Sequence, residues 1–241
     1  MADSADMMAL MLLVVHLLAL TVACLFCIGM MLLHRNARRL RGAWDRTPMV
    51  PFQAIFPRRP ASWIAIRSAE PEQVRMALDL QHLTPCSWSE GMAGEHQFFI
   101  SPRVNGWVIV TGIGIPGFDD IDECFRFLAA LSRKTGHVQF FQVEKFSHHH
   151  AWARMDDGCV TRAYAWTGET IWNQGAKTMP EIELGLKCFD YGDADDASAI
   201  AEANAERVPL LAARWSLDPA AIDERLLNYA PGLACELRQV F

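Results

Sequence analysis

The sequence has no Lys, Arg, Asp or Glu between Met8 and Leu33, and His16 is the only strongly polar side chain in that stretch. At about 1.5 Å rise per residue, an apolar helix of this length crosses a hydrocarbon layer about 30 Å thick. The sequence also lacks a basic start and a small-residue cleavage site, which excludes a cleaved signal peptide. We therefore expect residues 1–34 to form a short tail and a transmembrane helix.

Common catalytic motifs are missing as well. The chain has no G-x-S-x-G nucleophile turn and no lysine-bearing phosphate loop, so it carries no signature of the enzymes that use them. It has 22 Lys and Arg against 28 Asp and Glu, a formal net charge of −6, which argues against nucleic acid as a partner. The seven cysteines are an odd number without a ladder of paired spacings, as is typical of reduced thiols in the cytoplasm.

Basic residues follow the apolar stretch directly and predict its orientation. Five arginines lie between Arg35 and Arg46, whereas the tail before Met8 is acidic. Because basic flanks stay in the cytoplasm, everything after Leu33 should lie on the inner side of a bacterial inner membrane. Residues 35–60 contain four prolines and are expected to form a basic, extended tether.

One face of the expected transmembrane helix carries small residues. Ala19, Ala23 and Cys27 recur every four positions, and His16 lies close to this stripe. Small side chains let two helix backbones approach, and a histidine in hydrocarbon can hydrogen-bond across the contact. The alternative is that these residues merely fill an apolar span. This face is therefore a candidate for forming a homo-oligomer in the membrane.

The rest of the chain predicts an α+β domain over residues 61–193, with a helical segment, residues 194–241, packed on it. Hairpins outnumber strand–helix repeats, so the sheet should be largely antiparallel. The expected strands are Trp63–Ile66, Gln97–Ser101, Trp107–Thr111, His137–Val143, His149–Met155, Cys159–Trp166 and Thr170–Trp172.

Capping and turn residues predict the helices. The clearest helix runs from Asp120 to Thr135, with acidic residues at its start and Gly136 after it. Others begin at Pro71 and after the capping-box residue Ser87. The remaining helices are expected over Pro180–Lys187, Ala197–Arg207, Pro209–Trp215 and Pro219–Asn228.

A hairpin turning at Asp157-Gly158 is the most informative part of the expected domain. With these two residues as its turn, Trp152 pairs with Ala163, so that a large side chain faces a small one. The hairpin would then have two different faces. One face carries Arg162, Tyr164 and Trp166, and the other carries His150, Trp152 and Arg154.

Two interpretations of this hairpin remain open. Trp, Tyr and Arg are enriched at binding hot spots, so Arg162, Tyr164 and Trp166 are candidate contacts to a protein partner, together with Trp172 on the next strand. Alternatively, helices cover the aromatic rings and the arginines lie at the edge of the core.

Three consecutive histidines suggest a metal site, because histidine is the commonest transition-metal ligand. On a strand only His148 and His150 share a face, and no neighbouring Cys or carboxylate has a recognised ligand spacing. A polar cluster at the start of a strand is the alternative. If the protein is instead an enzyme acting on a small or membrane-proximal substrate, His148 or His150 with Asp156 would carry the chemistry.

The glycine run Gly112–Gly117 formally matches the fingerprint of dinucleotide sites. However, Asp119, Asp120 and nearby acidic residues already supply negative charge at the start of the following helix, where they would repel a phosphate. We therefore expect no nucleotide, and no other cofactor.

Several distinctive strings lie between Pro60 and Asp193. They are Ser62–Ser68, Asn105–Trp107, Gly136–Phe141, Arg162–Trp166, Trp172–Gly175 and Leu184–Gly192. In these strings the chain resembles a family of uncharacterised bacterial proteins, and the resemblance implies no activity.

The features together predict a membrane-anchored, non-enzymatic module that binds a protein partner at the cytoplasmic face of the inner membrane. An immunity-type or defence-associated role is one version of this hypothesis. The enzyme that uses His148 or His150 is the alternative.

Overall fold

A computed structural model describes residue 16 and residues 59–67, 70–144, 146–192, 197–227 and 230–236. The chain separates into two compact units, Met1–Ala54 and Ile55–Phe241, and every described residue except His16 belongs to the second unit.

The expected transmembrane helix lies outside the described residues, apart from His16, which is helical and exposed. The other members of its small-residue face, Ala19, Ala23 and Cys27, also lie outside them. None of the helices that the structure describes is both long and apolar enough to cross a membrane.

In the described part of the chain, a single sheet of nine strands forms the centre of the second unit. Every pair of neighbouring strands is antiparallel, which confirms the expected α+β class and sheet type. The order across the sheet is β2-β9-β3-β4-β1-β5-β6-β7-β8. The strands are β1 (Ser62–Ile66), β2 (Thr84–Cys86), β3 (Phe98–Ile100), β4 (Val108–Thr111), β5 (His137–Val143), β6 (His150–Asp156), β7 (Cys159–Trp166), β8 (Thr170–Gln174) and β9 (Gly232–Cys235).

Helices cover both faces of this sheet. They are α1 (Pro71–Ala77), α2 (Trp88–Met92), α3 (Ile121–Thr135), α4 (Met179–Glu183) and α5 (Ala197–Trp215). On one face, α1 and α3 bury aliphatic and small side chains such as Ile64, Val110 and Ala153. We call the other face the α5 face, because α5 packs there on a layer rich in large aromatic rings. This layer includes Trp63, Phe141, Trp152, Tyr164 and Trp166.

Two helix caps and one turn that the sequence predicts are present in the structure. Ser87 makes both hydrogen bonds of a capping box with Glu90 at the start of α2. Asp120 caps α3, since its carboxylate accepts a hydrogen bond from the backbone N–H of Glu123 over 3.0 Å. Asn105 and Gly106 adopt positive φ angles, 50° and 86°, between β3 and β4.

The C-terminal segment differs from the prediction. Pro209 was expected to separate two helices, but α5 continues through it. A proline inside a helix removes a hydrogen bond and costs about 3 kcal/mol. Ala205, Val208 and Ala212 are buried around it, and their packing offsets that loss. The expected third helix is instead two short 3-10 turns, Pro219–Ala221 and Glu224–Leu227, and they are followed by β9.

Candidate functional site

The hairpin of β6 and β7 has the expected turn but not the expected register. Its turn residues, Asp157 and Gly158, have φ angles of 50° and 83°. Past the turn, Thr161 is the extra residue of a β-bulge, and the register shifts by one position. Trp152 therefore lies opposite Tyr164 rather than a small residue, so the expected pairing is wrong.

The shift also places both expected faces of the hairpin on one side. Because side chains alternate along a strand, moving the register by one position moves a whole set to the other face. The α5 face therefore carries the set Arg162, Tyr164 and Trp166 together with the set His150, Trp152 and Arg154.

The expected hot spot on β7 is buried. Arg162, Tyr164 and Trp166 retain 1%, 0% and 6% of their accessible surface. The burial of Tyr164 and Trp166 matches the alternative in which helices cover the aromatic rings, but Arg162 lies inside the core rather than at its edge. These side chains therefore do not form an exposed docking surface in this fold. Trp172 on β8 is the one residue of the expected set that is only half-buried.

A buried ion pair joins Arg162 on β7 to Glu181 on α4. The distance from Arg162 Nε to Glu181 Oε1 is 2.8 Å, and Trp152 Nε1 donates to the same oxygen over 2.9 Å. The second oxygen accepts the backbone N–H and the hydroxyl of Thr178 over 2.7 and 2.8 Å. All four hydrogen bonds are therefore made to one carboxylate that is excluded from water.

Both terminal nitrogens of Arg162 also have partners. Its Nη1 donates to Asn173 Oδ1 over 3.0 Å, and its Nη2 contacts Cys188 Sγ at 2.9 Å. Burial raises the pKa of the Cys188 thiol to about 11, although Arg162 and Lys177 act in the opposite direction. The thiol is therefore protonated at neutral pH and is a poor nucleophile.

His150 is enclosed by aromatic rings. It stacks between Trp152 and Trp166, with ring centroids 5.7 Å away on both sides and interplanar angles of 13° and 19°. Its Nδ1 lies 2.8 Å from the backbone oxygen of His148, and its Nε2 lies 3.4 Å from the Asn204 amide nitrogen. This arrangement fits a neutral ring that donates from Nδ1 and accepts at Nε2.

Burial lowers the pKa of His150 to about 4, with a smaller opposing effect from the hydrogen bond to His148. His148 contributes its backbone carbonyl to this arrangement. Asp156 lies at the opposite end of β6 and pairs with His137. The fold therefore does not assemble the catalytic set that the enzyme hypothesis requires.

No group of three or more His, Cys, Asp or Glu within the described residues is arranged to hold a metal ion. The glycine run after β4 also has its own partners. Ile113 and Gly114 donate their backbone N–H groups to the carbonyl oxygens of His96 and Gln97 over 3.0 and 2.8 Å. These amides are therefore engaged within the fold.

The exposed candidate is the sheet edge at β8. Trp172 meets Phe125 of α3 edge to face, with ring centroids 6.1 Å apart and an interplanar angle of 82°. Phe125 is 40% exposed and Tyr191, beyond the strand, is 62% exposed. The sequence indicated Trp172 and a short edge strand, but not Phe125 or Tyr191, because their proximity depends on long-range packing.

Comparison of the chain with protein-family models, curated proteins and solved structures finds no match.

Proposed function

We propose that this protein is a membrane-anchored, non-enzymatic module that binds an extended segment of a protein partner along β8. The anchor is the apolar stretch before Leu33, and the arginines that follow it favour a cytoplasmic location for the module at a bacterial inner membrane.

The hydrogen bonding of Asn173 carries this proposal. In the described part of the chain, its backbone N–H donates to the Tyr191 hydroxyl over 2.8 Å. The same hydroxyl lies 3.5 Å from the backbone oxygen of Asn173. A single side chain therefore occupies both backbone groups of Asn173 on an edge strand, where outward backbone groups otherwise pair with another strand. An extended segment could replace Tyr191 with better-aligned backbone hydrogen bonds.

The side chains beside this edge fit the same kind of partner. In a strand added to β8, alternate residues would point to opposite faces of the sheet. Residues on one side would meet the ring pair of Trp172 and Phe125, and residues on the other would meet Tyr191. Trp and Tyr are among the residues most enriched at the hot spots of protein interfaces.

Comparative capture from bacterial membranes tests the proposal. The full-length protein and a Trp172→Ala variant serve as baits, with quantitative mass spectrometry of the bound proteins. We expect at least one partner to be depleted about 30-fold with Trp172→Ala, because hot-spot substitutions weaken binding by about 2 kcal/mol or more.

Leu210→Ala is the matched control, since Leu210 is an exposed apolar residue on α5 rather than beside β8. It should leave the capture of the same partner unchanged. Equal capture by all three baits would contradict the proposal.

A further inference from the structure

Three large apolar side chains are exposed on the outer side of the helices that cover the α5 face. They are Met179 and Ile182 on α4 and Leu210 on α5, and they retain 65%, 57% and 54% of their accessible surface. Met179 and Ile182 are three residues apart and share one side of α4, whereas Glu181 between them is buried. We call Met179, Ile182 and Leu210 the α4–α5 patch.

Two contacts between the helices bring the members of this patch together. Arg214 pairs with Glu183 at the end of α4 over 3.0 Å, and Arg207 Nη1 donates to the backbone oxygen of Gly185 over 3.0 Å. Leu210 lies between the two arginines on the same side of α5, because residues three and four positions apart share one side of a helix. It is therefore held beside the last turn of α4.

The charged groups around the α4–α5 patch are mainly basic. Arg207 and Lys177 both donate to backbone oxygens near the end of α4, and no carboxylate in the described part of the chain forms an ion pair with either. Arg214 and Glu183 neutralise each other. Glu206 is also exposed, but it lies about 100° around α5 from Arg207, on the side away from α4. The patch therefore combines apolar side chains with a net positive charge.

The chain enters the second unit on the side of the sheet that carries this patch. Arg59, at the start of the described residues of that unit, pairs with Asp218 over 2.6 Å. Asp218 directly follows Leu217, whose side chain is buried in the layer beneath α5. Arg59, to which the tether leads, therefore lies on the α5 face.

We propose that the α4–α5 patch docks on the anionic lipid surface of the membrane, a contact that rests on the proposed membrane anchor. The three apolar side chains would lie between the headgroups, and Arg207 and Lys177 would contact the lipid phosphates. Both the burial of apolar area and the attraction of cations to anionic lipids stabilise such a contact. The patch is small, but an anchored domain meets the surface at an effective concentration on the order of millimolar, at which weak contacts are populated.

A second copy of the chain fits the α4–α5 patch less well. A stable protein interface buries roughly 800 Å² on each partner, and three side chains supply only part of that area. A symmetric dimer would also place the patch against itself, so that Arg207 and Lys177 would approach their own copies. Like charges brought together in this way disfavour the contact.

Photo-cross-linking to lipid tests the docking with the full-length protein in nanodiscs. The nanodiscs contain phosphatidylcholine, either alone or mixed in equal parts with phosphatidylglycerol. A photoreactive phenylalanine analogue is placed at Ile182 or, as the matched control, at Met76, which is 58% exposed on α1 at the other face of the sheet. Mass spectrometry should detect lipid adducts mainly at position 182, with a higher yield when phosphatidylglycerol is present.

A charge variant tests the role given to the basic residues. Arg207→Gln should lower the lipid yield at position 182 about fivefold in the anionic nanodiscs, which is the factor expected for one basic residue at such a surface. Arg126→Gln is the control, because Arg126 is exposed on α3 and also donates to a backbone oxygen. It should leave the yield unchanged.

Equal lipid yields at positions 182 and 76, or cross-links from position 182 to a second copy in place of lipid, would overturn the proposal. The same analogue at Leu18, in the apolar stretch, reports on the anchor separately. Lipid adducts at Leu18 without an excess at position 182 would contradict the docking alone, whereas adducts at neither would also contradict the anchor. Partner capture at β8 is a separate measurement, because β7 separates β8 from the strands beneath α5.

Discussion

Arg162 and Glu181 form an ion pair with a nitrogen–oxygen distance of 2.8 Å, and their side chains are 1% and 0% exposed. The pair connects β7, the second strand of the hairpin, to the short helix α4 above the sheet. A five-residue helix has little stability of its own. We infer that this contact fixes α4 on the α5 face.

Removing one partner of this pair should destabilise the fold strongly. Glu181→Ala leaves the Arg162 charge buried without compensation, and such changes cost about 3–5 kcal/mol. Urea unfolding of the full-length protein in detergent should therefore show a clearly lower midpoint.

The matched control lies on the same helix. Glu183 pairs with Arg214 over 3.0 Å, but both side chains are more than half exposed. Glu183→Ala should therefore change the stability by less than about 1 kcal/mol. Similar losses for the two variants would contradict the structural role given to the buried pair.

His150 should make stability depend on pH in the acidic range. The unfolded chain binds a proton near pH 6.5, whereas the folded protein keeps His150 neutral down to about pH 4. The stabilisation is therefore fully present above pH 6.5 and is lost as the pH falls towards 4, by an amount on the order of 3 kcal/mol.

Urea unfolding between pH 4 and 7 measures this effect. His150→Gln should flatten the dependence, whatever its effect on stability at neutral pH. His82→Gln, which removes an exposed imidazole, is the control. If the stability of His150→Gln changes with pH as steeply as that of the wild-type protein, another group is responsible for the pH dependence.

The bulge at Thr161 predicts a specific pattern of interstrand proximities. Trp152 lies opposite Tyr164, so NMR should detect a cross-strand nuclear Overhauser effect between their backbones. Deleting Thr161, the extra residue of the bulge, should leave Tyr164 opposite Trp152 and on the same face, because the strand without it continues in the same register. In the wild-type protein, a backbone nuclear Overhauser effect from Trp152 to Ala163 rather than to Tyr164 would contradict the bulge.

The orientation in the membrane is a separate prediction from the sequence. A reporter that is active only in the cytoplasm, fused after Phe241, should be active because of the arginines that follow Leu33. The complementary reporter, which requires export, should be inactive in the same position. The reverse pattern would overturn the proposed location.

Much of the fold could be predicted from residues that are close together in the sequence. The Asp157-Gly158 turn, the Ser87 capping box and the limits of α3 depend on neighbouring residues, so they could be predicted from the sequence. The bulge could not, because one inserted residue leaves the alternating pattern on each side unchanged. The short strand β9 was missed because it is defined by pairing with β2 and β3, far away in the chain.

The candidate site was predicted less well for the same reason. Arginine and aromatic residues on β7 look like a binding surface in the sequence, but the partner that buries Arg162 is Glu181, on a helix after the next strand. Trp172 was identified correctly as a residue of an edge strand. Its neighbours Phe125 and Tyr191 come from α3 and from the segment after α4, which only tertiary packing brings together.

Photo-cross-linking in living bacteria tests whether an extended partner binds along β8. A photoreactive phenylalanine analogue placed at position 172 should give a discrete cross-linked product, whereas the same analogue at Thr84, on the opposite edge of the sheet, should give none. Tyr191→Phe should increase the yield at position 172, because it removes the hydroxyl that occupies Asn173. Equal products from both edges, or a yield that Tyr191→Phe leaves unchanged or lowers, would rule out binding of a partner along β8.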